Sequence, residues 1–507
     1  HFVFTQDFST EAEVQRYAAL MAGVAALVVD RYDGALKAEH GTGRNMAPFV
    51  EREWGRDGLL LMQEIKRLFD PEQLLNPGVI LTDDERAHLR HLKPLPPADP
   101  LVDKCIECGF CEPKCPSAQL TFTPRQRITA FREIARIEAG GGDARAERAE
   151  YDWLGVDTCA ACGLCATACP VDIETGKLIK ALRAERAGPL ALRVGAQVAR
   201  QYGPVTQAVR VGLAGADALH AVIGTRAMTA LTGAARSLSG NRLPRWTPQL
   251  PRATAWKPGR DTAAPGTHAT PLVYFPSCAA RSMGAARGDD AEPLPTVTDR
   301  VLRRAGFVPH TPARMDALCC GQPFESQGLM RAADDKAAEL IDALAAASNG
   351  GRWPIVFDTS PCAYRIKRVL AERDSTRSPA LQVLDITEAL HDLVLPRLSL
   401  HASDEPLAVH PVCSVRKMAL EHKLLAVARA CSRGATMPAE VGCCGWAGAM
   451  GFTTPQLNAH ALRDLPAALP LGCTQGVSSS RTCEIGLSEH AGVPYRSIVH
   501  LVDAASR

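Results

Sequence analysis

One cysteine spacing, Cys-x2-Cys-x2-Cys-x3-Cys-Pro, occurs twice in the chain: Cys105, Cys108, Cys111 and Cys115 before Pro116, and Cys159, Cys162, Cys165 and Cys169 before Pro170. No other feature restricts the fold as much. Three thiolates at this spacing can wrap three corners of one cubane, while the fourth, directed away by the proline, reaches a second. The spacing therefore assigns Cys105, Cys108, Cys111 and Cys169 to one [4Fe-4S] cluster, and Cys159, Cys162, Cys165 and Cys115 to another. Zinc is the competing reading, but four cysteines in one short run, twice over, differ from the separated pairs of a zinc ribbon. The 18 cysteines are grouped in such runs and in two Cys-Cys pairs rather than spread as a disulfide framework, which points to metal ligands in a reducing compartment.

A length of 507 residues is too great for one compact core, and at about 150 residues per domain it suggests three or four. A net charge of +2 and 5% aromatic residues argue against a phosphate-binding surface or a base-stacking platform, so no nucleic-acid partner is expected. No unbroken run of about 18 apolar residues occurs, so no transmembrane span is expected. The chain opens at His1 on a strand-like alternation without a start methionine or leader, and reads as an N-terminally truncated fragment.

Residues 1–82 read as α+β, with a strand at 1–6 and a helix opened by Thr10-x-x-Glu13 and closed at Asp33-Gly34. A second helix stops at Asp70-Pro71, because proline disfavours helical geometry in the residue before it. Residues 83–100 form a proline-rich linker, 101–187 a cysteine-rich helical domain, and 188–268 a helical connector and second linker. Residues 269–395 and 396–507 then repeat one plan, as Cys278, Cys319-Cys320-Gly321 and Cys362 recur in order as Cys413, Cys443-Cys444-Gly445 and Cys483. Strand-like 272–275, a helix near 296–305 ended by Gly306, strand-like Phe307-Val308, a helix at 329–345 and strand-like 355–357 argue for α/β units with cysteines in loops at strand ends. Cys431 and Cys473 fall outside the pattern and read as buried or spare thiols.

The paired runs, with helical sequence such as 128–138 between them, resemble the helical ferredoxin modules of respiratory dehydrogenases. The repeat resembles the cysteine-rich CCG domain of subunits of heterodisulfide reductase, anaerobic glycerol-3-phosphate dehydrogenase and glycolate oxidase. That resemblance implies that Cys278, Cys319, Cys320, Cys362, Cys413, Cys443, Cys444 and Cys483 bind a further iron–sulfur cluster or zinc. The fullest family form ends each half in Cys-x-x-Cys, whereas Thr359 and Ser480 stand at the first of those positions here. Four thiols per half suit one conventional cluster or zinc better than a thiolate-rich non-cubane cluster.

Glu39-His40-Gly41-Thr42-Gly43-Arg44, then Phe69-Asp70-Pro71 and Leu75-Asn76-Pro77-Gly78, resemble the end of the C-terminal domain of FAD-linked oxidases of the D-lactate and D-2-hydroxyglutarate dehydrogenase type. The resemblance implies Glu39 and His1 as ligands of a divalent metal, Zn or Mn, with His40 as the base taking the hydroxyl proton, and FAD bound mainly upstream. The expected fold class is thus multidomain α/β and α+β: the end of an FAD-oxidase domain, a helical two-cluster ferredoxin and duplicated α/β CCG domains. The expected activity is FAD-dependent oxidation of a D-2-hydroxy acid, with electrons passing to a quinone, cytochrome or carrier protein, the fragment alone being inactive. The alternative is an electron-transfer subunit without a substrate site of its own. Arg183, Arg186, Arg193, Arg200 and Arg210 punctuate apolar sequence, as on a domain-bridging face or a membrane-surface helix. The expected location is cytoplasmic, with peripheral contact on the inner face of the membrane as a variant.

Overall fold

The structure is a computed structural model and describes residues 6, 8, 10–37, 41–92, 96–241, 243–244, 246–257, 270–372, 380–439 and 441–507. The chain divides into two compact units, one of His1–Cys108 with Thr129–Ala144, the other of Gly109–Ile128 with Arg145–Arg507.

In the first unit, Thr10 caps a helix by accepting the Glu13 N–H on its hydroxyl, and the helix runs from Glu11 to Arg31. Tyr17, Met21 and Ala25, four residues apart, form its buried stripe, and Tyr17 meets Phe8 edge-on at 5.2 Å. By length and composition this helix is apolar enough to cross a membrane. No unbroken apolar run of that length marks it, because charged residues such as Arg16 and Asp30 interrupt a largely alanine, leucine and valine sequence. A second helix, Val50–Phe69, breaks at Gly55 and ends at Asp70, as the following proline demands. The Asp70 carboxylate then accepts the N–H groups of Leu74 and Leu75 at 2.8 and 3.0 Å, fixing the turn beyond the helix. The expected strand at 1–6 lies outside the described residues apart from Gln6.

Among the described residues, the second unit holds two four-stranded parallel sheets and a small antiparallel ribbon. Its strands are β1 (Pro251–Ala253), β2 (Thr270–Phe275), β3 (Met283–Ala286), β4 (Phe307–His310), β5 (Ile355–Phe357), β6 (Val383–Asp385), β7 (Ser403–Val409), β8 (Ser432–Thr436), β9 (Gly476–Ser478) and β10 (Tyr495–Ser497). β1 pairs with β3, and the sheets run β4-β2-β5-β6 and β8-β7-β9-β10. The strand orders correspond one for one, so the repeat read from the cysteines is also a repeat of topology.

In each sheet the first strand is central, and the chain goes to one side of it before crossing to the other. That arrangement places a topological switch point at the carboxyl ends of the central strands, where α/β sheets bind their ligands. Both faces of β2 are covered: Leu272 and Tyr274 join one apolar core, Val273 and Phe275 another, as the two-residue period requires. The first of these cores also contains Leu407, Val409 and Val477 of the second sheet, so both halves share buried surface. Each fully buried Leu, Val or Phe contributes roughly 1.5–3 kcal/mol. Helices Pro189–Arg200 and Tyr202–Leu238 precede the repeat, the latter broken at Gly224.

Candidate iron–sulfur and cysteine-rich sites

The two Cys-x2-Cys-x2-Cys-x3-Cys-Pro runs fold alike although they share few residues between the cysteines. Glu107 and Ala161 both have positive φ (59° and 45°), as do Gly109 and Gly163 (86° and 76°). The N–H of Glu107 points at the Cys105 sulfur at 3.4 Å, and that of Ala161 at the Cys159 sulfur at 3.3 Å. Short turns Glu112–Lys114 and Ala166–Ala168 then deliver Cys115 and Cys169 in extended geometry, as proline in the next position requires. Backbone N–H groups aimed at sulfur favour a negatively charged thiolate, and loops of alternating handedness form a concave anion nest.

In the second unit Cys115 of the first run lies near enough to Cys165 of the other for its charge to bear on it, together with Cys162 and Cys159. Burial, with these neighbouring sulfurs, pushes the Cys165 thiol up to about 12. Arg127 is buried beside the same group, donating from Nε to the Gly155 carbonyl at 2.7 Å, from Nη2 to Ser117 Oγ at 3.0 Å and from Nη1 to Cys115 Sγ at 3.6 Å. Arg183 is a bridging residue, donating to the carbonyls of Val156, Cys159 and Ser326, each at 2.8 Å. In the first unit, Cys105 is buried and its carbonyl accepts from Arg132, which pairs with Glu107 at 3.0 Å.

The eight cysteines of the repeat stand at the carboxyl ends of the sheets. Cys278 follows β2, Cys319-Cys320 follow β4 and Cys362 follows β5; Cys413, Cys443-Cys444 and Cys483 follow β7, β8 and β9. In the first half, Cys278 hydrogen-bonds to Cys319, Cys319 to Cys320, and Cys320 to Cys362 with the sulfurs 3.3 Å apart. In the second half the chain runs from Cys413 to Cys443, to Cys444, to Cys483. Both Cys-Cys-Gly turns need their glycine. Gly321 has φ +86° and a Cβ there would lie 2.2 Å from the Ala333 carbonyl oxygen; Gly445 has φ +70° and would meet the Leu457 oxygen at 2.7 Å. Each glycine N–H points to the sulfur of the first cysteine of its pair at 3.4 Å.

Nothing in the spacing foretold one contact: Cys162 of the second run is hydrogen-bonded to Cys443 of the second half. That bond and burial raise the Cys162 thiol, while its hydrogen bond with Cys443, aided by the Lys417 cation, draws Cys413 down. Lys417 in turn pairs with Glu174 at 3.0 Å, tying the helix after Cys413 to the segment after Cys169. A cavity of about 350 Å³ opens where these elements meet, lined by Cys162, by Cys278, Cys320 and Cys362, and by Cys413, Cys443, Cys444 and Cys483. The Tyr202 hydroxyl hydrogen-bonds with Cys278 and Cys319 at the first half's end of it, a partner without a sequence signature.

Among the described residues no three His, Cys, Asp or Glu side chains are gathered in a ready single-ion site. The donor set nevertheless suits iron–sulfur: thiols in touching pairs, buried, at a switch point, with N–H groups already aimed at sulfur. Thr359 does not stand in for a ligand, since its hydroxyl donates to Ser277 Oγ at 2.9 Å and so braces the loop entering Cys278. Ser480 hydrogen-bonds Thr482 at 3.3 Å. Cys431 is buried in the apolar core, where burial pushes its thiol up to about 12, and the Cys473 sulfur contacts the Gln475 carbonyl. His1, Glu39 and His40 lie outside the described residues.

Three parts of the chain match known families. Residues 1–80 match the FAD linked oxidases, C-terminal domain, residues 101–176 the 4Fe-4S dicluster domain and residues 272–367 the CCG cysteine-rich domain. Fold and site thus define an oxidoreductase-type protein that transfers electrons through iron–sulfur centres. The chain is similar to the glycolate oxidase iron-sulfur subunit of Escherichia coli (strain K12), 25% identical over 451 residues, which cover 84% of this chain and 98% of that subunit. It is also similar to glycolate oxidase subunit GlcD of Bacillus subtilis (strain 168), 30% identical over 86 residues, 17% of this chain and 18% of that one. The mitochondrial D-lactate dehydrogenase [cytochrome] of Arabidopsis thaliana is 37% identical over 49 residues, 10% of this chain and 9% of that one. The likeness over most of the chain is thus to a glycolate oxidase iron-sulfur subunit, not specifically to a D-2-hydroxyacid dehydrogenase.

Proposed function

We propose that this chain conducts electrons taken by a flavin from a short 2-hydroxy acid, through two [4Fe-4S] clusters, to the cysteine sites of the repeat and on to an external acceptor. The observation that carries the reading is the Cys162–Cys443 contact, by which a ferredoxin-type loop and a CCG-type loop meet at one cavity. A [4Fe-4S] cluster, when bound, takes up and releases one electron. Cys105, Cys108, Cys111 and Cys169 would hold the first, and Cys159, Cys162, Cys165 and Cys115 the second; the closeness of Cys115 to Cys165 supports the second set. Cys278, Cys319, Cys320 and Cys362, and their counterparts Cys413, Cys443, Cys444 and Cys483, would hold a further cluster or zinc. The buried, apolar lining would keep water from the thiolates, and the glycine and loop N–H groups would carry part of their charge.

The named relatives make glycolate and D-lactate the first substrates to test, with D-2-hydroxyglutarate third. In this reading Glu39 and His1 ligate a divalent ion and His40 accepts the hydroxyl proton. The domain limits are those drawn from the sequence, and the location is cytoplasmic, with peripheral contact on the inner face of the membrane as a variant. The acceptor would be a quinone, a cytochrome or a carrier protein. A second reading, an iron–sulfur subunit without a substrate site of its own, is favoured by the likeness over 84% of the chain to such a subunit.

The test is anaerobic purification with iron and sulfide analysis, then stopped-flow reduction by each acid with and without added flavoprotein. About eight iron and eight sulfide from the ferredoxin-type section are expected. Zinc without sulfide would overturn both readings. Slower reduction in His40→Ala, with the flavoprotein added, would select the first reading; unchanged reduction would select the second.

A further inference from the structure

We propose that Arg127 is a positioning residue that sets the cluster held by Cys159, Cys162, Cys165 and Cys115 at the higher reduction potential of the two, making it the exit cluster toward the repeat. The inference rests on the cluster assignment proposed above. Arg127 is 1% exposed, and its partners are the Gly155 carbonyl, the Ser117 hydroxyl and the Cys115 sulfur rather than a carboxylate. Its charge also bears on Cys159, so the guanidinium faces sulfurs from both runs. Ser117 adds a second polar contact, its Oγ lying 3.1 Å from Cys115 Sγ while it donates to the Phe122 carbonyl at 3.0 Å. Tyr151 fixes the backbone beneath, donating from its hydroxyl to the Arg127 carbonyl at 3.1 Å.

The arginine beside the other cluster's first cysteine is differently placed. Arg132 pairs with Glu107 at 3.0 Å through Nη1 and donates from Nη2 to the carbonyls of Asp103 and Cys105, so its charge is balanced locally by a carboxylate. An iron–sulfur cluster becomes more negative by one charge on reduction, and hydrogen bonds to sulfur and local net charge set its potential. A buried cation balanced by nothing but thiolates favours the reduced state, because low polarizability around it weakens screening. Cys162 of the same cluster abuts Cys443, so the higher potential falls where electrons leave.

The experiment is a redox titration, followed by electron paramagnetic resonance, of the purified chain and of its Arg127→Gln and Arg127→Lys variants, with iron and sulfide measured on each. Arg127→Gln should disfavour reduction of one cluster at least tenfold, 59 mV for a one-electron couple. The other cluster should not move. Arg127→Lys, which keeps the charge, should shift it less than threefold. Unchanged potentials at full cluster content in Arg127→Gln would overturn the inference, and so would equal shifts in both variants. If Arg127→Gln fails to retain the cluster, the lysine variant decides alone, a tenfold fall there being the refuting result. A wild-type chain without iron and sulfide would instead refute the cluster assignment itself.

Discussion

Replacing Gly321 by alanine tests whether the Cys-Cys-Gly turn is a built device or an incidental loop. The left-handed backbone at φ +86° costs an alanine about 1–2 kcal/mol. The added Cβ, 2.2 Å from the Ala333 carbonyl oxygen, cannot be accommodated by rotating a side chain, because the obstacle is backbone. Relieving such overpacking typically costs about 1–3 kcal/mol more, for a total of about 2–5. The movement also withdraws the Gly321 N–H from the Cys319 sulfur, so cluster or zinc content should fall with stability. Gly445→Ala should behave alike but more mildly, since its closest approach is 2.7 Å. Gly212 lies in the helix Tyr202–Leu238 with nothing within 4 Å of an added Cβ, and alanine there should stabilise by about 0.5–1 kcal/mol. Urea unfolding followed by circular dichroism, with metal and sulfide analysis, ranks the three. A Gly321→Ala protein with wild-type midpoint and metal content would refute the argument.

Cys115→Ser should perturb the electron paramagnetic resonance signal of the cluster served by the second run, and Cys169→Ser that of the first; strictly local loss would contradict cross-ligation. Glu325 is buried between Lys180 at 2.6 Å, Arg368 at 2.5 Å and Arg365, so Glu325→Gln should cost about 3–5 kcal/mol by leaving cations unbalanced, measurable by urea unfolding. His410 is buried and held down to about 3 by that burial, against an ordinary value of 6.5. Between those values the unfolded chain binds the extra proton, so stability falls as pH falls through that window, by up to about 1.4 kcal/mol per pH unit. His410→Leu should flatten the pH dependence of unfolding by about that slope near pH 5–6, and an unchanged slope would mean the imidazole is not held neutral.

Local chemistry was legible in the sequence and long-range juxtaposition was not. Strand-like 272–275 and 355–357 are β2 and β5, and the helix ended at Gly306 is Leu294–Arg304, since apolar runs and turn residues act over a few positions. The Cys-Cys-Gly glycines could be read as sharp turns for the same reason. By contrast, Cys162 meets Cys443 and Tyr202 meets Cys278 through tertiary packing, which leaves no period or spacing behind. Arg127 sits in an ordinary charged helix, Pro124–Ala139, where burial sets it and Arg132 apart from Arg125 and Arg136, and no spacing marks that burial. The apolar character of the helix Glu11–Arg31 rests on average composition rather than on an unbroken run, so no single stretch of sequence displays it.

The meeting of Cys162 with Cys443 also constrains biogenesis. A ribosome completes both Cys-x2-Cys-x2-Cys runs long before it reaches Cys443 and Cys444, and those two thiols end up buried. On the proposed cluster assignment, iron and sulfide would reach Cys162 most readily before the loop carrying Cys443 packs against it, during synthesis or by movement of the later half. Maturation would then be ordered, the later half closing over a cluster already in place.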